Sequence, residues 1–202
     1  MSTEDYLKDI SEIKDIMNKS SRFFSLSGLS GILAGIYALL GAAVAYYLVV
    51  FRAGRSYLII DSRLFNYILL DLAIVAGLSI VTGVYLSSRK ARKNNETLWN
   101  PTSQRLITSF LVPLVTGGIF ILIKIFHQHY GMTGALMLIF YGLALVNASK
   151  YTIGNVQYLG YIRIVLGLIC AMIPTYGFWF WVVGFGIMHI IYGSLIYFKH
   201  DQ

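Results

Sequence analysis

The chain has 202 residues, of which 57% are hydrophobic and only 12% charged, with a formal net charge of +7. A soluble domain carries roughly 25% charged residues, so this composition excludes an ordinary water-soluble fold. The bases flank apolar segments and accompany no nucleic-acid motif, which argues against DNA or RNA as a partner.

Residues 3 to 20 read as a short amphipathic helix. Tyr6, Ile10, Ile13 and Met17 recur at intervals of three and four, and charges fill the other face. The acids Glu4, Asp5, Asp9, Glu12 and Asp15 balance the bases Lys8, Lys14, Lys19 and Arg22, which argues against a polybasic lipid anchor. This segment (1–22) is expected to lie on the cytoplasmic face, against the bundle or against a partner. It has no signal-peptide pattern, so the first apolar run is expected to stay as an uncleaved span.

Six spans are expected over 23–199, at about 26–50, 64–86, 106–126, 131–149, 158–175 and 178–198. The fold class is therefore all-α, a polytopic transmembrane six-helix bundle. The order of the spans suggests three two-helix hairpins, one with two, three with four and five with six. The first span carries a stripe of small residues, Gly28, Gly31, Gly35, Ala38, Ala42 and Ala45, on one helix face. In lipid, helices associate by close packing, so this stripe is expected to be a central packing face or a seam to a second copy. Pro113 sits inside the third span, and Pro174 with Gly177 marks the turn between the last two.

Orientation follows from Lys and Arg. With the N-terminus inside, Lys8, Lys14, Lys19, Arg22, Arg89, Lys90, Arg92, Lys93, Arg105, Lys150, Arg163 and Lys199 fall on the cytoplasmic side, against Arg52, Arg55, Arg63 and Lys124 outside. Both termini are thus expected in the cytoplasm. Arg163 reads as a base snorkelling to the interface, Asn147 as a cap or helix bridge, and Trp99, Trp179 and Trp181 as interfacial anchors.

Two stretches carry a family resemblance: Tyr141-Gly-Leu-Ala-Leu-Val-Asn147-Ala-Ser-Lys150-Tyr-Thr152 and Phe180-Trp-Val-Val-Gly184-Phe-Gly186-Ile-Met-His189-Ile-Ile-Tyr192-Gly193. With the opening Ser20-Ser21-Arg22-Phe23 and Ser27-Gly28-Leu29-Ser30-Gly31, the chain resembles a family of small bacterial six-span membrane proteins. In architecture it resembles the HdeD-type three-hairpin proteins. The resemblance implies a bacterial inner membrane and implies no reaction.

Ionisable groups inside spans are costly and so are functional candidates. Asp71, about two turns into the second span from the outside, needs a partner or a proton; Lys124, near the outer end of the third span, is expected either to reach toward it or to snorkel to the interface. His189, near the middle of the sixth span, shares a face with glycines and is expected to point into the bundle. Cys170 reads as a small buried hydrophobe. A haem site needs two histidines at matched depth, whereas His127 and His129 fall in a loop and His200 near the C-terminus. No cofactor or metal is expected. Gly28-Leu29-Ser30-Gly31 resembles the Gly-x-Ser-Gly of rhomboid intramembrane proteases, but on the first span rather than the fourth.

No catalytic set is legible, so the chain is not expected to be an enzyme. The leading expectation is a non-enzymatic sensory, regulatory or assembly component, with the bilayer and a second copy or another membrane protein as partners. The alternative is a small proton-linked transporter or channel using Asp71 and His189. An intramembrane protease built on Ser30 and His189 is the remote third.

Overall fold

Long runs of Leu, Ile, Val and Phe in lipid leave the backbone no solvent partner, so the chain must satisfy its N–H and C=O groups within helices. The computed structural model describes residues 27–52, 62–93, 99–152 and 156–200. The expected amphipathic segment over 3–20 lies outside the described residues. Six helices form among them: α1 (Gly28–Arg52), α2 (Ser62–Lys93), α3 (Pro101–Phe126), α4 (Thr133–Ala148), α5 (Val156–Met172) and α6 (177–200). The last runs through three continuous pieces, Gly177–Trp181, a π-helical segment Val182–Ile187, and Met188–His200. Five stretches are long and apolar enough to cross a membrane, and α5, with 17 residues, is the short sixth helix. At 1.5 Å per residue it reaches about 25 Å, close to the hydrocarbon thickness of about 30 Å. The chain is a multi-pass α-helical membrane protein.

Two helices outrun their expected limits for local reasons. α2 continues past Leu86 to Lys93 and carries Lys90, Arg92 and Lys93 in its last turn, where cations suit the negative end of the helix dipole. α3 begins five residues before the expected Leu106 because Asn100 caps it. The Asn100 side chain accepts from the Ser103 N–H at 2.7 Å, Ser103 Oγ accepts from the Asn100 N–H at 3.0 Å, and Pro101 supplies the first helical position.

The helices assemble as a chain of neighbours. α2 packs on α1, α1 on α6, and α3 on α4, which packs in turn on α5. The first two expected hairpins are thus adjacent pairs. The third is only partly one: α5 and α6 are joined by the tight Pro174–Tyr176 turn, yet their principal partners are α4 and α1.

Glycines explain this choice of partners. A Cβ at Gly193 would lie 2.5 Å from the Ile32 nitrogen, and one at Gly35 would lie 2.7 Å from the Gly186 carbonyl oxygen. Gly28 and Gly31 meet the backbone of α6 in the same way, so the first half of the small-residue stripe is filled by α6 of the same chain. Ala38 and Ala42 continue it as buried residues, and Ala45 is half-buried. A seam to a second copy must therefore use another face. Between α4 and α5, Gly142 and Gly160 stand opposite each other: a Cβ on either would lie 2.8 Å from the other's carbonyl oxygen.

Ala135, Leu138 and Cys170 form the fully buried core between α4 and α5, with Leu166, Phe180 and Phe185 against it. Leu70, Ile80, Val81, Val112, Ile119 and Leu122 stand exposed on α2 and α3, a surface that suits acyl chains.

Candidate functional site

Three side chains from three helices meet in the bundle interior. Tyr141 lies about two turns before the end of α4, Arg163 about two turns into α5, and His189 about three turns before the end of α6. These ends all lie on one side of the bundle, so the three residues share a depth within the hydrocarbon.

Arg163 is fully buried. Its expected role as a snorkelling interfacial base is therefore corrected, and it no longer counts among the cytoplasmic bases. The sequence does carry a signal for this: Val156, Gly160, Arg163, Gly167 and Cys170 recur at intervals of three and four, and all are buried. This is the α5 face that packs on α4, and a helix so tightly docked leaves the arginine no route to the interface.

The guanidinium Nη2 lies 2.8 Å from His189 Nδ1, and His189 Nε2 lies 3.1 Å from Tyr141 Oη. Arg163 Cζ stands 4.4 Å from the centre of the Tyr141 ring and 5.1 Å from that of Phe185, so two aromatic faces solvate part of the cation. His189 Nδ1 also lies 2.7 Å from the Phe185 carbonyl oxygen.

These contacts compete. A guanidinium only donates, so the Arg163 bond requires Nδ1 as acceptor and the ring proton on Nε2, where it reaches Tyr141. The Phe185 carbonyl only accepts, so that bond requires the proton on Nδ1. One nitrogen cannot meet both demands. The conflict arises where α6 widens: Met188 N–H bonds back five residues to Val183, and π turns of this kind often mark functional positions. Gly184 and Gly186 in this segment let Leu138 of α4 and Leu39 of α1 approach its backbone.

The Nε and Nη1 groups of Arg163 are buried with no hydrogen-bond partner among the described residues. Asp71 is the only Asp or Glu among the described residues, and it lies elsewhere: its Oδ2 would be 3.1 Å from a Cβ added at Gly41, on the α1–α2 face. Asp71 and His189 therefore face different packing seams.

The other expected site residues also separate. Lys124 does not reach Asp71: its Nζ donates to the Gly131 carbonyl at 2.9 Å and closes the α3–α4 turn. Ser30 Oγ donates to the Ser27 carbonyl at 2.6 Å, and the described contacts of His189 are Arg163, Tyr141 and Phe185, so no Ser–His dyad forms among the described residues. His127 and His129 are exposed at the end of α3. Trp99 and Trp179 are exposed, as interfacial anchors would be, whereas Trp181 turns inward, stacks on Phe185 at 5.2 Å and buries its indole N–H without a partner among the described residues.

Comparisons with protein families, with curated proteins and with solved structures find no match.

Proposed function

We propose that this protein is a non-enzymatic sensory or regulatory component of a bacterial inner membrane, with both termini in the cytoplasm, and that Arg163, His189 and Tyr141 form its responsive element. The observation that carries this reading is the single nitrogen, His189 Nδ1, with two incompatible partners. A regulatory bundle needs an element with two arrangements of similar energy. In one arrangement His189 holds Arg163. In the other it binds the Phe185 carbonyl and releases the guanidinium. The bacterial membrane follows from the sequence resemblance, and the orientation from the bases Arg89 to Lys93, Arg105, Lys150 and Lys199 at one end of the bundle.

Proton-linked transport through Asp71 and His189 is the weaker reading, because the two lie on different seams with α1 between them.

Nitrogen-15 NMR of histidine-labelled protein in lipid tests the proposal, with the His189 signals assigned by their loss in His189→Gln. The expected result is two His189 tautomers in exchange, collapsing to the Nδ1–H form in Arg163→Met. Spin labels at the exposed Ile162 and Ile191 should show two α5–α6 distances. A single tautomer unaffected by Arg163→Met, or a single distance, overturns the reading.

A further inference from the structure

The first two turns of α3 gather polar side chains on one side. Pro101, Gln104, Arg105, Thr108 and Ser109 sit at i, i+3, i+4, i+7 and i+8, which is a single helix face. Tyr151, in the Ser149–Tyr151 turn after α4, completes their wall, and together they line an open cleft of about 470 Å³. Arg105 is exposed, as is Lys150 of the same turn. The cleft lies at the end of the bundle where α2 ends in Lys90, Arg92 and Lys93.

The lining selects a ligand by charge. The planar fork of Arg105 suits two oxygens of a phosphate group. The Gln104 amide and the Thr108, Ser109 and Tyr151 hydroxyls can donate to an oxyanion and exchange hydrogen bonds with ligand hydroxyls. No Asp or Glu lines the cleft, so an ammonium group on the ligand would meet no counter-charge there. Farther along α3 the same face turns apolar: Val112, Val115, Ile119 and Leu122 continue it, and all four are exposed. From Thr108 to Ile119 the helix rises about 16 Å, close to half the hydrocarbon thickness of about 30 Å. A polar cleft thus opens onto an apolar track as deep as one leaflet.

We infer that this cleft binds a phospholipid whose headgroup carries a phosphate and hydroxyls but no ammonium, the chemistry of phosphatidylglycerol. Arg105 holds the phosphate diester, and Gln104, Thr108 and Tyr151 take the headgroup hydroxyls. One acyl chain lies along Val112, Val115 and Ile119. Basic clefts between helices at the membrane surface recognise anionic headgroups in this way. A free phosphate would use the same donors, but it would leave the apolar track unused.

The test titrates the full chain, freed of lipid in detergent, with dioleoyl phosphatidylglycerol or dioleoyl phosphatidylcholine and reads bound lipid by native mass spectrometry. The expected result is one saturable phosphatidylglycerol that phosphatidylcholine does not match. Arg105→Gln should raise its half-saturating concentration about tenfold, the scale of a hydrogen bond to a charged group. Arg92→Gln, also exposed at this end of the bundle, should change it little. Excess inorganic phosphate should not displace the lipid. Equal binding of the two lipids, or equal weakening by Arg105→Gln and Arg92→Gln, would reduce the cleft to general attraction by the basic end and overturns the inference. Displacement by inorganic phosphate also overturns it, by making a soluble anion the ligand.

Discussion

The Asn147 side chain on α4 donates, at 2.9 Å, to the Ser109 carbonyl of α3. Pro113 lies four residues beyond Ser109 and has no N–H, so this carbonyl has lost its helical donor. A neighbouring helix supplies the replacement, as it must in hydrocarbon. Asn147→Leu should cost about 1 kcal/mol, near the upper range for interhelical hydrogen bonds in membranes. Pro113→Ala restores the missing N–H and should make Asn147→Leu nearly neutral. Reversible unfolding in mixed micelles measures both, and equal costs in the two backgrounds would refute the pairing.

The glycines divide into two classes with opposite expected effects. Gly193→Ala would push a methyl against backbone atoms of α1 and should destabilise by about 1–3 kcal/mol, the usual range for overpacking. A Cβ at Gly77 or Gly83 on α2 meets nothing within 4 Å. Alanine there should be neutral or stabilise by up to about 1 kcal/mol through helix propensity. The same unfolding assay separates the two sets.

His189 Nδ1 lies 2.8 Å from the Arg163 guanidinium. His189→Ala removes both this bond and the alternative bond to the Phe185 carbonyl and should cost about 2 kcal/mol, the scale of a hydrogen bond to a charged group. Arg163→Met fills the same space without a charge and should be close to neutral or stabilising. In the Arg163→Met background most of the His189→Ala cost should vanish. A double-mutant cycle reads the coupling, and additive costs would show that the contact carries little energy.

Asp71 and His189 provide the contrasting cycle. They face separate seams, so Asp71→Asn and His189→Ala should add within about 0.5 kcal/mol. A coupling well above that in unfolding, or in proton flux through reconstituted vesicles, would revive a shared path.

Much of the site lay hidden in plain residues. His189 stood out in the sequence because an ionisable group in an apolar run is expensive wherever it points. Arg163 did not, because a base near a helix end reads first as an interfacial anchor. Only its register with Gly160 and Gly167 betrays its burial. Tyr141 was one tyrosine among 15, and nothing local distinguishes it. Lys124 could reach toward Asp71 as far as the sequence goes, yet lying toward the same side of the membrane does not bring side chains together when their helices are not neighbours.

Apolar run length and the spacing of charges determined by themselves that this is a multi-pass helical protein, since in lipid the backbone has few other ways to satisfy its hydrogen bonds. The small-residue stripe on α1 likewise marked a close-packed face. Which helix fills that face, which helices close on each other at their glycines, and where Arg163 ends were decided only by the tertiary structure. Periodicity tells which residues share one side of a helix. The partner of that side depends on contacts between segments far apart in the chain, and here those contacts bring one arginine and one histidine into a shared, incompletely satisfied interior.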